Sequence, residues 1–145
     1  NIVSGFITGS VPIAAVLRRR SSALSIASSG NTTITFTEEI TDSYNDMASI
    51  STGYIYAKVA GFYAIAGHIQ FDAVGNSIHW RGLFLNTSNS IGVIAHSGGL
   101  GYVSQDLTVM GMCWLNANEY AFMRAYETSG GKNVINADFS MAKFA

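Results

Sequence analysis

A chain of 145 residues makes one domain around one core, and its formal net charge of −1 carries no general nucleic-acid footprint. Charged residues are only 12% against a usual share of about 25%, while apolar residues reach 48%, so part of the surface is expected to be buried in an oligomer. No apolar run approaches the ~20 residues of a membrane-spanning helix, and with Cys113 as the only cysteine there is neither an intrachain disulfide nor a thiolate metal cluster.

Residues 1–10 mix small and apolar types without a period, and up to Pro12 the chain reads as a lead-in or linker. It starts at Asn1 with no signal-peptide pattern, as expected of an excerpt or processed product with residues upstream. Ile13 to Arg18 and Leu24 to Ile26 are short strands, and Ser28-Ser29-Gly30-Asn31 is a turn. Thr32 to Phe36 is β-branched, with Ile34 and Phe36 on one face. A polar loop then runs through Asp42-Ser43-Tyr44-Asn45-Asp46 to Gly53. Tyr54 to Val59 precedes the long strand that starts at Gly61, and Gly75-Asn76-Ser77 turns into Ile78 to Leu85. Ile91 to His96 is short, and Ser97-Gly98-Gly99-Leu100-Gly101 reads as a flexible loop. Tyr102 to Leu115 is long. Asn116 to Glu119 turns into Tyr120–Thr128, and Ser129 to Lys132 turns into the last strand, Val134 to Phe144. About ten strands with frequent turns and no helix give an antiparallel sandwich or barrel.

Two strands carry more information than the rest. In the stretch from Gly61 to Phe71, Tyr63, Ile65, Ile69 and Phe71 point one way, and Phe62, Ala64, Ala66 and His68 the other. Both faces are largely apolar, unlike a strand with one side in water. The small-residue face is also unlike the lipid face of a transmembrane barrel. The same division recurs in Leu107, Val109, Cys113 and Leu115 against Thr108, Met110, Met112 and Trp114. Two Met and a Trp rarely face solvent, and Met adapts to irregular gaps between chains. A third strand alternates Tyr120, Phe122, Arg124 and Tyr126 with Ala121, Met123 and Ala125. The small-plus-Met set suits the core, which places an aromatic ladder with one Arg outside.

Catalytic patterns are missing. No serine sits in a Gly-x-Ser-x-Gly elbow, and Glu38 and Glu39 are adjacent, so in a strand they point apart. Gly98-Gly99-Leu100-Gly101 lacks the Lys-Ser/Thr and helix of a phosphate loop. His68, His79 and His96 fall on separate strands without ligand spacing and read as structural. Asp42, Asn45 and Asp46 offer hard oxygens to Ca²⁺, the one cofactor candidate, but polar loop residues more often form turns. Arg18-Arg19-Arg20 is the only basic run; it could face anionic glycans or nucleic acid, and at the end of the first strand it reads as a solvated edge or a contact with an adjoining segment.

The order of several segments resembles a known family. A Tyr44-Asn45-Asp46-Met47 loop precedes a strand and then Gly61-Phe62-Tyr63; His79-Trp80-Arg81 opens a strand ending in Asn86. Leu115-Asn116-Ala117-Asn118-Glu119-Tyr120 leads to Met123-Arg124-Ala125-Tyr126, Ser129-Gly130-Gly131 and Phe139-Ser140-Met141-Ala142-Lys143. This looks like the C1q/TNF-like jelly roll over residues 13–145, similar in style to microbial and bacteriophage heads of trimeric fibres. Ala117-Asn118-Glu119 stands where many relatives have Ala-Gly-Asp, which keeps a turn and an acid.

The resemblance implies an all-β, ten-stranded antiparallel jelly-roll sandwich, homotrimeric, with residues 1–12 leading in from an upstream fibre or stalk. It implies a trimer interface of Phe62, Ala64, Ala66, His68, Thr108, Met110, Met112 and Trp114. Three copies of His68 near the axis would repel on protonation and make the trimer pH-sensitive. Trp80 and Arg81, on another strand of the outer sheet, are expected to extend the ladder of Tyr120, Phe122, Arg124 and Tyr126 into a ligand-binding surface. Aromatic rings pack on sugars, and Arg offers a fork for carboxylates or hydroxyls; the competing expectation is that a neighbouring protomer covers the ladder. The expected function is non-enzymatic: the head of a phage tail fibre or similar appendage, on the virion surface, recognising a cell-surface glycan or protein receptor. Its other partners are its own copies and an upstream fibre or virion protein, with no nucleic acid, membrane insertion or metal. The alternative is a structural decoration, capsid-fibre or spore-surface trimerisation domain that binds no ligand.

Overall fold

The computed structural model describes residues 12–27, 30–72, 79–89, 92–101, 105–128 and 133–145. All of the expected lead-in over residues 1–12 except Pro12 lies outside them, as do the turns at 75–77 and 129–132. Among the described residues there are twelve strands, two of them only two residues long, against the expected ten: β1 (Ala14–Arg19), β2 (Leu24–Ser25), β3 (Asn31–Thr33), β4 (Glu38–Asp42), β5 (Ala48–Ser49), β6 (Tyr54–Tyr56), β7 (Gly61–Phe71), β8 (His79–Thr87), β9 (Val93–Gly101), β10 (Gln105–Leu115), β11 (Tyr120–Glu127) and β12 (Asn133–Lys143). The first sheet runs β10-β7-β12-β1-β4 with β2 beside β12; the second runs β5-β6-β11-β8-β9 with β3 beside β11. The pairs are antiparallel, and the two sheets enclose one core as a jelly-roll sandwich.

The core follows from the alternation. β7 sends Tyr63, Ile65, Ile69 and Phe71 inward, β10 sends Leu107, Val109, Cys113 and Leu115, and β11 sends Ala121, Met123 and Ala125 from the opposite sheet. Each large apolar side chain buried this way contributes roughly 1.5–3 kcal/mol. Tyr63 is fully buried, and its hydroxyl donates to Val59 O at 2.6 Å. Gly67 is the gap in the β7 series. A Cβ there would stand 2.1 Å from Met123 Sδ, so the methionine of the second sheet occupies the place of a side chain on the first.

One sequence expectation fails locally, and one strand arises where none is expected. Ser97–Gly101 is part of β9 rather than a loop. Gly98 pairs with Gly82, and a Cβ on either would collide with the Trp80 ring, at 2.9 Å and 2.6 Å, so these glycines make room for an indole. The segment before Asp42 forms β4, an exposed strand on the edge of the first sheet whose Glu38 and Glu39 discourage further pairing.

Candidate functional site

Cross-strand partners in a sheet point to the same side, so the registers of β10, β7, β12 and β1 lay out the outward face of the first sheet row by row. At one end Trp114 stands opposite Phe62, with rings 5.3 Å apart, and Phe144 lies 6.1 Å beyond. The next row is Met112, Ala64, Ala142 and Ala14; the one after is Met110, Ala66, Ser140 and Val16. Then come Thr108, His68, Asp138 and Arg18, and last Asp106, Gln70 and Asn136. The face therefore grades from aromatic through Met and Ala to charged groups. In the single chain Met110 is 74% exposed and Met112 71%, beside a hollow of about 350 Å³ floored by Ala64, Ala66, Ser140 and Ala142.

The polar end is knit by ion pairs. Arg18 Nε donates to Asp138 Oδ1 at 2.8 Å and Arg20 to Asp138 Oδ2 at 2.6 Å. Burial raises the Asp138 carboxyl, but the hydrogen bonds from Arg18 and Arg20 outweigh it and hold the group below the ordinary carboxylate range. His68 Nε2 lies 2.9 Å from Asp106 Oδ1. Arg19 turns inward between its neighbours and donates to Thr35 O at 2.7 Å and Ser22 O at 2.8 Å. The three-arginine run is thus not an open basic patch: Arg19 is buried, and Arg18 and Arg20 share the carboxylate of Asp138.

The outward face of the second sheet is aromatic. Tyr120, Phe122, Arg124 and Tyr126 face out, as alternation requires, while the residues between them are fully buried. The rings pack on one another. Tyr54 and Tyr120 stack at 4.3 Å with an interplanar angle of 11°, Tyr54 lies 5.4 Å from Phe122, and Tyr56 lies 5.4 Å from Tyr120. Toward the other end Trp80 meets Tyr126 at 5.4 Å and Phe84 at 6.4 Å, and Phe84 stacks on His96 at 6.0 Å.

Arg81 is a correction. Adjacent residues of a strand point to opposite faces, so Trp80 and Arg81 cannot share one. Trp80 faces out, and Arg81 is fully buried beneath it, with Cζ 4.7 Å from the Phe71 ring centroid and an Nη donating to Asp72 O at 3.1 Å. Burial lowers its basicity, and the carboxylates of Asp72 and Glu127 act against that. Tyr54, Tyr56, Phe84 and His96 belong to the aromatic face although the sequence reading omits them. The i, i+2 spacing of Tyr54 and Tyr56 around buried Ile55, and the i, i+4 spacing of Trp80 and Phe84 on one face of β8, is the signal that finds them.

His68 and His96 do not converge: His68 lies on the outward face of the first sheet and His96 on that of the second, and the side chain of His79 lies outside what the structure describes. In the polar loop, Asp42 accepts hydrogen bonds from the amides of Tyr44 and Ala48, each at 2.9 Å, and Asp46 pairs with Lys58 at 2.9 Å. The oxygens weighed for Ca²⁺ thus serve the loop itself, and no group of three His, Cys, Asp or Glu able to hold a metal occurs among the described residues. The Asn116–Glu119 turn closes in the same way, Glu119 Oε2 accepting from Asn116 N at 2.8 Å with Asn118 left-handed at φ 70°.

No family model matches the chain, and no curated protein matches it. Among solved structures it is similar to the globular domain of a zebrafish complement 1qA protein, with a TM-score of 0.69 and 21% identity over 93% of this chain and 98% of that one. It is also similar to an Eiger TNF from S. frugiperda, with a TM-score of 0.62 and 14% identity over 94% of each. These likenesses show the fold, a C1q/TNF-like jelly roll.

Proposed function

We propose that the chain is a non-enzymatic head domain that works as a homotrimer in a phage tail fibre or similar appendage on a virion surface, and that it meets a cell-surface glycan on the aromatic face of its second sheet. The observation that carries the reading is the outward face of the first sheet: Met110, Met112, Trp114, Phe62 and Phe144, 44–74% exposed, around a small-residue hollow. A contiguous apolar face of this kind on a chain poor in charge is a protein-contact surface, and a partner of the same sequence requires no second gene product. Covering it to the ~800 Å² per partner of a stable interface removes the exposed methionines from water. The placement in a fibre rests on the order of sequence segments that resembles such heads.

The test of recognition is competition. Purified protein is expected to label host cells and to block adsorption of the particle that carries it, with saccharides from the host surface relieving the block. A trimer that labels no cell and no saccharide contradicts recognition. That result favours the second reading, a structural decoration or trimerisation domain, to which the mutual stacking of Tyr54, Tyr56, Tyr120 and Phe122 also lends support.

A further inference from the structure

Arg124 is chemically isolated on the aromatic face. It lies mid-strand in β11, opposite Phe84 of β8 on one side and Thr33 of β3 on the other. Its Nε donates to Asn86 Oδ1 at 3.2 Å, and Asn86 is only 2% exposed, so one edge of the guanidinium is fixed by a side chain set into the sheet. Phe122 flanks it, with Cζ 5.7 Å from the ring centroid. Its two Nη groups have no hydrogen-bond partner among the described residues. The other arginines are all engaged: Arg18 and Arg20 by Asp138, Arg19 by Thr35 and Ser22, and Arg81 by the Asp72 carbonyl. No Asp or Glu occupies an outward position on any strand of the second sheet. A half-buried cation with no counter-ion, held at Nε with its fork open, is arranged for an external anion.

The rings around it specify which anion. Tyr126 lies two residues along β11, about 6.6 Å away, and Tyr126 and Phe84 both touch Trp80. Trp80 packs one side of its indole on Gly82 and Gly98. An anion borne directly on a pyranose ring reaches the fork while its sugar lies on the rings. We infer that Arg124, with Trp80 and Tyr126, forms a subsite for a carboxylate-bearing sugar of the uronic- or sialic-acid type. The carboxylate accepts two N–H bonds from the Nη groups, and the C–H face of the ring packs on the aromatic side chains. A neutral sugar can stack but leaves the guanidinium without its partner.

The inference rests on the reading of this face as glycan-binding, and the test separates the two. Full-length protein is applied to an array on which uronic- and sialic-acid saccharides are printed beside their carboxyl-reduced forms. Wild type is expected to bind at least one acidic saccharide about tenfold or more over its reduced form. Arg124→Gln is expected to abolish that preference, and Arg124→Lys, with charge but no fork, to keep only part of it. Equal binding to acidic and reduced forms overturns the subsite and leaves the glycan reading standing; binding to neither overturns both. Undiminished acid preference in Arg124→Gln also overturns it. If that variant fails to fold, the comparison of acidic and reduced saccharides on wild type decides alone.

Discussion

Gly67 shows how much a single position depends on the opposite sheet. The alternation of β7 calls for a core side chain there, and Met123, reaching across from β11, supplies it. Neither strand's own pattern discloses that arrangement. Gly67→Ala is expected to destabilise the fold by ~1–3 kcal/mol, because the added methyl meets a fully buried side chain that cannot swing into solvent. Urea denaturation midpoints measure it, and combining it with Met123→Ala should cost less than the sum of the two single changes. Arg81 teaches a related lesson. The strict alternation that put Tyr120, Phe122, Arg124 and Tyr126 on one face also separates Trp80 from Arg81. Adjacent residues of a strand form one surface only where that rule is broken, and β8 keeps it. A buried Arg is also costly enough to look exposed until its partners, here the Asp72 carbonyl and the Phe71 ring, are known.

Among elements, long strands with bulky alternating residues declare themselves, and short or glycine-rich ones do not. β7, β10, β11 and β12 begin and end within a few residues of where the pattern puts them. β9 is hidden because its glycines resemble a loop until the Trp80 ring lying over Gly98 is seen. β4 was hidden because an edge strand has little apolar signal. The pairing of β1 with β12 carries a pH dependence of its own. Arg18 and Arg20 on and beside β1 hold Asp138 of β12 ionised, so its folded pKa lies below the ordinary 3.8. A depressed carboxyl contributes stability that is complete above the unfolded value and is lost as pH falls through the folded one. The stability gap between wild type and Asp138→Asn, followed by urea midpoints from neutral pH down to about pH 3, should therefore be widest above 3.8 and close below it. A gap that stays constant with pH would show that Asp138 acts through shape and not through charge.

At the scale of the whole molecule, the fold class was legible because all-β spacing, two-faced strands and the order of segments agree with one another. The jelly-roll architecture then places the unexplained second faces of β7 and β10 side by side as one apolar surface. What the chain alone does not carry is the counterpart of that surface, since an interface is a property of two copies and leaves only an excess of apolar residues in one. In the proposed trimer this face joins three copies. Its most direct test is the mass in solution, by light scattering or sedimentation, of wild type and of Met110→Asp and Met112→Asp. Both substitutions fall at positions more than two-thirds exposed in the single chain, so the jelly roll itself should survive them, with an unchanged far-ultraviolet spectrum. With three copies joined on this face, the wild-type mass is three times the chain's 15.5 kDa, and the Asp variants run at the mass of a single chain. A wild type that remains a monomer, or Asp variants that assemble as it does, would contradict it.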